Sequence, residues 1–327
     1  MDWQMIGHAW AVQLLQRYIS GGQVRHAYLF TGPDGVGKRT LALRFAQALC
    51  CETRMEKGGV CGECRTCRLM ADQMHPDLHV VESEGAGATL GVGQIRELQR
   101  KLALTPYEAH WRIALMLRFH EATASASNAL LKTLEEPADR VVMLLTARTA
   151  EELLPTIVSR CEVLQLRCLP AYELEGALMA RGEEAEQAEL LAAISAGRPG
   201  WALRMAEDTE WRQRRVQRLD ELSALLFMNR AERFQRVEKL TKDPASLYPM
   251  LETWLALWRD AAHRGLGTDA SMNNPDRHED LKRISSQVGI RDLLTALRAT
   301  ERTLEALDRN ANPQLALETL MLDFPRL

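Results

Sequence analysis

Asn128-Ala-Leu-Leu-Lys-Thr-Leu-Glu-Glu-Pro137 sets leucines at 130, 131 and 134 and then meets a proline. That spacing predicts an amphipathic helix over 128–136, ended where the proline ring cannot continue it. Val141-Val-Met-Leu-Leu-Thr146 follows as a short apolar run, the composition of a strand buried on both faces. A second helix is expected over 150–158. Ser159-Arg160-Cys161 then leads into the alternating Val163-Leu-Gln-Leu166. Helices alternating with buried strands predict a parallel sheet covered on both sides.

Working outward towards the N-terminus, residues 10–19 carry helical apolar spacing, and His26-Ala-Tyr-Leu-Phe30 fits a buried strand. Directly after that strand stands Thr31-Gly32-Pro33-Asp34-Gly35-Val36-Gly37-Lys38-Arg39-Thr40, and a helix is expected from there to about residue 51. Strand, glycine loop, lysine and helix make the context a phosphate-binding loop requires. The glycines let backbone N–H groups face a phosphate, the helix N-terminus adds a positive dipole, and Lys38 adds a charge. Gly32, Gly37 and Lys38 fit the pattern, with Gly35 in the same loop. Arg39 does not, because a Ser or Thr is needed there to hold Mg²⁺. Thr40 comes one place late. A plain glycine-rich turn with an incidental lysine is the competing reading.

Seven cysteines stand at 50, 51, 61, 64, 67, 161 and 168. Cys61-Gly-Glu-Cys64-Arg-Thr-Cys67 with a cysteine upstream gives four thiolates and no nearby histidine, the donor set of a closed structural zinc site. An iron–sulfur cluster is the alternative, less suited to a short insertion without redox context. Either Cys50 or Cys51 can supply the fourth sulfur. Beyond the cluster, His75-Pro-Asp77 precedes a strand over 78–81. A small-residue segment over 85–93 leads to a helix over 94–104, and a further strand is expected over 112–117.

Taken together, the stretch from Asn128 to Cys161 resembles the core of the clamp-loader AAA+ ATPases that serve the bacterial replicative polymerase, DNA polymerase III. The likeness spans nearly the whole chain and is specific between about Gly32 and Cys161. It implies that Thr146 sits where the family senses the γ-phosphate. It also makes Arg160 of Ser159-Arg160-Cys161 an arginine finger, acting in trans on nucleotide bound by an adjacent subunit. Cys51 stands 13 residues after Lys38, where such subunits carry their ligand. The implied ligand set is Cys51, Cys61, Cys64 and Cys67. In the same register Leu117 and Arg118 fall where the family's ATPases carry the acids that order magnesium and polarise the attacking water. Neither side chain can do that work, and no aspartate occurs from Trp111 to Pro137.

After Pro170 the strands stop. Short helices over 172–181, 185–195 and 199–207 are expected to form a small lid. Gly200 stands where active members hold an arginine for the phosphates. The chain is then helical over 211–227, 231–242, 245–263, 279–288, 291–310 and 313–322, with an irregular segment over 265–277. Leu247, Met250, Leu251, Trp254, Leu255 and Trp258 form an apolar stripe whose ordinary use is core. The resemblance implies an oligomerisation collar. The expected fold is therefore α/β plus all-α. An AAA+ P-loop parallel sheet with a zinc module inserted at about 51–67 covers 1–168, a helical lid covers 169–207, and a helical collar covers 208–327.

The 327 residues suffice for two or three cored domains, with 46% hydrophobic and 26% charged residues, as in soluble globular chains. No apolar run reaches the roughly 18 residues of a membrane span. The N-terminus lacks a basic-then-apolar signal, which points to the cytoplasm. A net charge of −3 and a pI near 6.3 give no global field for DNA.

The resemblance thus leads to a non-catalytic or weakly active loader subunit. It would hold structural zinc, with ATP or ADP in a loop made by Gly32, Gly35, Gly37, Lys38, Arg39, Thr40 and Thr146. Its partners would be the ATPase motor and clamp-opening subunits, and through them the sliding clamp and primed DNA. The alternatives are an ATP-hydrolysing motor subunit or another AAA+ ATPase, favoured by Gly37-Lys38, and a zinc-dependent DNA-binding module. The last lacks a base-reading helix.

Overall fold

The computed structural model describes residues 3–53, 58–83, 88–268, 272–309 and 311–327. These divide into two compact units. The first holds the chain to Leu174 together with Arg198–Gly200, and the second holds Glu175–Gly197 and Trp201–Leu327.

The first unit is built on β1 (Ala27–Thr31), β2 (Leu78–Val81), β3 (Arg112–Met116), β4 (Val141–Ala147) and β5 (Glu162–Gln165), in the spatial order β2-β3-β4-β1-β5. Every pairing is parallel, with Leu29 beside Leu145, Ile113 beside Val142, Val80 beside Leu115 and Leu29 beside Val163. The central strands β1, β3 and β4 are buried along their whole length. Alternate residues therefore feed two cores. Tyr28, Phe30, Ile113, Leu115, Val142 and Leu144 pack under α1 (Ala9–Ser20), α2 (Lys38–Cys50) and α3 (Arg65–Ala71). Leu29, Ala114, Met116, Met143 and Leu145 pack under α4 (Val92–Leu102) and α5 (Ala124–Glu135).

Two local expectations change. The helix expected over 150–158 is only α6 (Pro155–Val158). Pro155 starts it, and the residue before a proline is pushed out of the helical region, as Leu154 is at ψ 131°. The cysteine module contains α3, which the cysteine spacing concealed. Cys64 caps it, its sulfur accepting the N–H of Cys67. Of the small-residue segment over 85–93, residues 85–87 lie outside the described set. Leu90 is buried and pairs with Ala122.

The second unit is helical: α7 (Ala171–Met179) enters it, followed by α8 (Ala185–Ile194), α9 (Pro199–Glu207), α10 (Thr209–Phe227), α11 (Arg230–Leu240), α12 (Pro244–Gly265), α13 (His278–Gln287), α14 (Ile290–Asp308) and α15 (Pro313–Asp323). The stripe on α12 is core, with Trp254 and Trp258 against Phe324. Leu257 rather than Leu255 completes it. Buried Arg233 gathers the carbonyls of Leu225, Met321, Phe324 and Pro325, which ties α11 to the end of the chain. Of the irregular segment over 265–277, residues 269–271 lie outside the described set. No helix among the described residues is long and apolar enough to cross a membrane.

Candidate functional site

The glycine loop joins β1 to α2, as its residues require. Gly32, Gly35 and Gly37 all take positive φ, at 140°, 79° and 110°. At Gly32 a Cβ would stand 2.3 Å from the Leu166 carbonyl oxygen, so no side chain fits. Lys38 is buried and turned back on the loop. Its Nζ donates to the carbonyl of Gly32, to that of Pro33 at 3.1 Å and to Asp34 Oδ1 at 3.3 Å. Burial lowers its pKa, against the pull of Asp34. Arg39 is exposed and donates to Gln73 at 2.9 Å, and Thr40 is exposed on the first turn of α2. Gly200 lies on the loop itself: its N–H donates to the Gly35 carbonyl at 2.8 Å, and a Cβ there would meet that oxygen at 2.9 Å.

At the carboxyl end of β3, Leu117 is buried and donates its N–H to Val81. Arg118 has left-handed backbone, with φ 49°. Its N–H is accepted by Thr146 Oγ1 at 2.9 Å, so the hydroxyl that the family resemblance assigns to a phosphate is engaged by the sheet. The Arg118 guanidinium donates to the Ser83 carbonyl at 3.1 Å and Oγ at 2.9 Å, and pairs with Glu121 at 3.4 Å. Ser83 Oγ in turn donates to Glu121. The carboxylate nearest this strand end is therefore committed to Ser83 and Arg118.

Beside it lies a contact that the sequence did not announce. Arg148 Nε donates to His120 Nε2 at 3.1 Å, which puts the imidazole proton on Nδ1, 4.0 Å from Glu152. Burial first, and then the charge of Arg148, pull His120 down to about 4. A histidine just past an apolar strand was the available signal, and its spacing to Arg148 carries no pattern.

The cysteine cluster assembles as expected. Sulfurs of Cys51, Cys61, Cys64 and Cys67 all lie within 4.8 Å of one another. Cys51 and Cys61 are 3.4 Å apart, and Cys61 and Cys67 are 3.7 Å apart. A tetrahedral ion with Zn–S of about 2.3 Å holds its sulfurs roughly 3.8 Å apart, so the cradle could hold such an ion. The backbone N–H of Cys64 points at the Cys61 sulfur at 3.4 Å and favours the thiolate there, and that of Cys67 meets the Cys64 sulfur at 3.3 Å. Cys50 turns away from the four: its thiol donates to the Trp111 carbonyl. Gln47 and Glu52 hold the module, through the Cys67 carbonyl at 2.7 Å and the Thr66 hydroxyl at 2.6 Å.

Arg160 stands apart from these groups, just after α6. Its guanidinium is 34% exposed; it donates to Glu135 Oε1 at 2.7 Å and to the Thr156 carbonyl at 2.8 Å.

The family model described as DNA polymerase III, delta subunit, matches residues 7–170, and its C-terminal counterpart matches 209–326. The DNA polymerase III subunit delta′ of Pseudomonas aeruginosa is 35% identical over 250 residues, covering 76% of this chain and 71% of its own. That of Bacillus subtilis is 27% identical over 316 residues, covering 95% and 94%. Among solved structures, a DNA polymerase III gamma subunit-related protein of Thermotoga maritima aligns over 95% of this chain and 96% of its own, at 17% identity and a TM-score of 0.45. By its family matches and its delta′ relatives, the chain belongs to the DNA polymerase III delta′ subunit family.

Proposed function

We propose that this chain is a clamp-loader subunit that completes the active site of a neighbour and hydrolyses little or no ATP itself. The observation that carries the reading is the end of β3. Magnesium and a water-polarising carboxylate supply much of phosphoryl transfer. Here Leu117 and Arg118 occupy that end, and Glu121 is already paired with Arg118 and Ser83. Lys38 answers to carbonyls of its own loop, and the loop remains a shape that ATP or ADP could enter only by displacing those contacts.

On this reading Arg160 is the catalytic contribution, made in trans. Its partially exposed guanidinium follows a short helix and presents the planar fork of donors that matches phosphate oxygens. Zinc bound by Cys51, Cys61, Cys64 and Cys67 is structural, since four thiolates leave no open position for substrate. A lid over 169–207 and a collar over 208–327 would join the chain to the motor and clamp-opening subunits in the cytoplasm. The sliding clamp and primed DNA are met through that assembly.

The test compares two rates. The purified chain alone should hydrolyse ATP at background. A loader reconstituted with Arg160→Ala should lose the turnover of the site it completes, arginine fingers being worth about 10³–10⁵ in kcat. Hydrolysis by the isolated chain, abolished by Lys38→Ala, would make it a motor subunit instead.

A further inference from the structure

Glu135 closes α5 and lies 25 residues before Arg160. Their side chains meet at 2.7 Å between Nη2 and Oε1. The other terminal nitrogen, Nη1, donates to the Thr156 carbonyl at 2.8 Å and leans on Ser159 Oγ at 3.4 Å. The guanidinium plane is thus held from two elements, α5 through Glu135 and α6 through Thr156. Of the five N–H donors of an arginine, these contacts use one on Nη2 and those of Nη1. Among the described residues Nε–H and the second Nη2 hydrogen meet no acceptor, and they are left for one from outside the chain. Glu135 is 51% exposed, so it holds the arginine at the surface rather than drawing it into the core.

We infer that Glu135 is a positioning residue for Arg160, orienting the guanidinium towards the nucleotide of the neighbouring subunit. The inference rests on reading Arg160 as a finger. An arginine swinging freely must lose its rotamer freedom each time a triphosphate is met, and catalysis by charge stabilisation needs the donor already aimed. A carboxylate on a separate helix supplies that aim, and a displacement of about 1 Å at a reacting group can cost 10²-fold in rate. Exposed ion pairs add little to stability, so removing this one leaves the fold intact. The competing role, in which Glu135 sequesters the guanidinium from its target, predicts the opposite sign.

The experiment uses the full chain in a reconstituted loader, with steady-state ATP hydrolysis measured against ATP concentration. Glu135→Ala should lower kcat by about tenfold or more and leave the KM for ATP within about twofold. Glu135→Gln, whose amide oxygen accepts the same N–H, should recover most of the rate. Combining Glu135→Ala with Arg160→Ala should be no worse than Arg160→Ala alone, because the two act as one unit. If Glu135→Ala leaves kcat unchanged or raises it while Arg160→Ala still lowers it, positioning is overturned and the finger stands. If Arg160→Ala has no effect, the finger reading falls and takes this inference with it. Assembly is followed by gel filtration; failure of Glu135→Ala to join would mark an interface contact and equally overturn positioning.

Discussion

Asp77 is the carboxylate on which the edge of the sheet is pinned, and replacing it by Asn gives the sharpest test of that architecture. Its side chain is fully buried, and Arg112, 6% exposed at the start of β3, faces it at 2.9 Å. Asp77 also accepts N–H groups of Tyr107 at 2.7 Å, Glu108 at 2.8 Å and Ala109 at 2.9 Å. Those three residues lie in the loop that runs from α4 to β3, and Glu108 pairs with Arg65 of the cysteine module. Asn is the same size but uncharged, and its amide group would turn N–H donors on N–H donors. Arg112 would keep the Lys101 carbonyl, at 2.6 Å, as its main remaining partner.

Breaking a buried pair by removing one partner costs about 3–5 kcal/mol, because an uncompensated charge stays behind. In a unit of this size each kcal/mol moves Tm by about 2–4 °C, so the first unit should melt roughly 6–20 °C lower. Calorimetry of the full chain reads this directly. Replacing Arg112 by Met as well as Asp77 by Asn should recover part of the loss, since no buried charge is then stranded. An independent arm is pH. Burial opposes ionisation of Asp77, but the three N–H donors and Arg112 outweigh it and hold its pKa near 2, below the ordinary 3.8. A depressed carboxylate stabilises fully above about pH 4, and that contribution, roughly 2 kcal/mol, is lost as pH falls towards 2. The Asn variant should lack this acid-dependent loss. A Tm within about 2 °C of wild type, which corresponds to less than 1 kcal/mol, would refute the argument.

Two other outcomes are expected. Elemental analysis should find one zinc per chain, and Cys61→Ser should lose it and loosen the packing between α2 and α3. Zinc in unchanged amount in that variant would remove the site. Arg233→Met, which keeps the aliphatic stem but leaves four gathered carbonyls without their donor, should destabilise the second unit by about 2–5 kcal/mol. Hydrogen exchange near Met321 and Phe324 should rise with it; unchanged exchange would show that the chain end is held by packing alone.

What could be read from the sequence was what depends on periodicity and spacing. The buried runs of β1, β3 and β4 and the leucine face of α5 are local patterns, and they survive folding because each strand buries both faces. The cysteines at 61, 64 and 67 were equally legible, since a metal cradle is a short-range geometry. Cys50 against Cys51 was not settled by the residues themselves: adjacent residues on a helix end point to different sides, and only the fold shows Cys50 turned to Trp111. The stretch over 150–158 does not make one helix, because Pro155 dictates where a helix can begin. Asp77 with Arg112, and His120 with Arg148, were invisible for a different reason. Each pair joins residues 35 or 28 positions apart across parallel strands, and nothing in either segment alone marks its partner.

The same distinction explains why β3 can end on Leu117 and Arg118 at no cost to the fold. An acid pair at a strand end binds magnesium but contributes no core, so its replacement is limited only by what the strand end must satisfy. Leu117 returns that position to the apolar core. Arg118 is more demanding, because a guanidinium turned into the protein needs acceptors for its N–H donors, and it must find them nearby. It does so through Ser83 and Glu121, at the cost of a left-handed backbone.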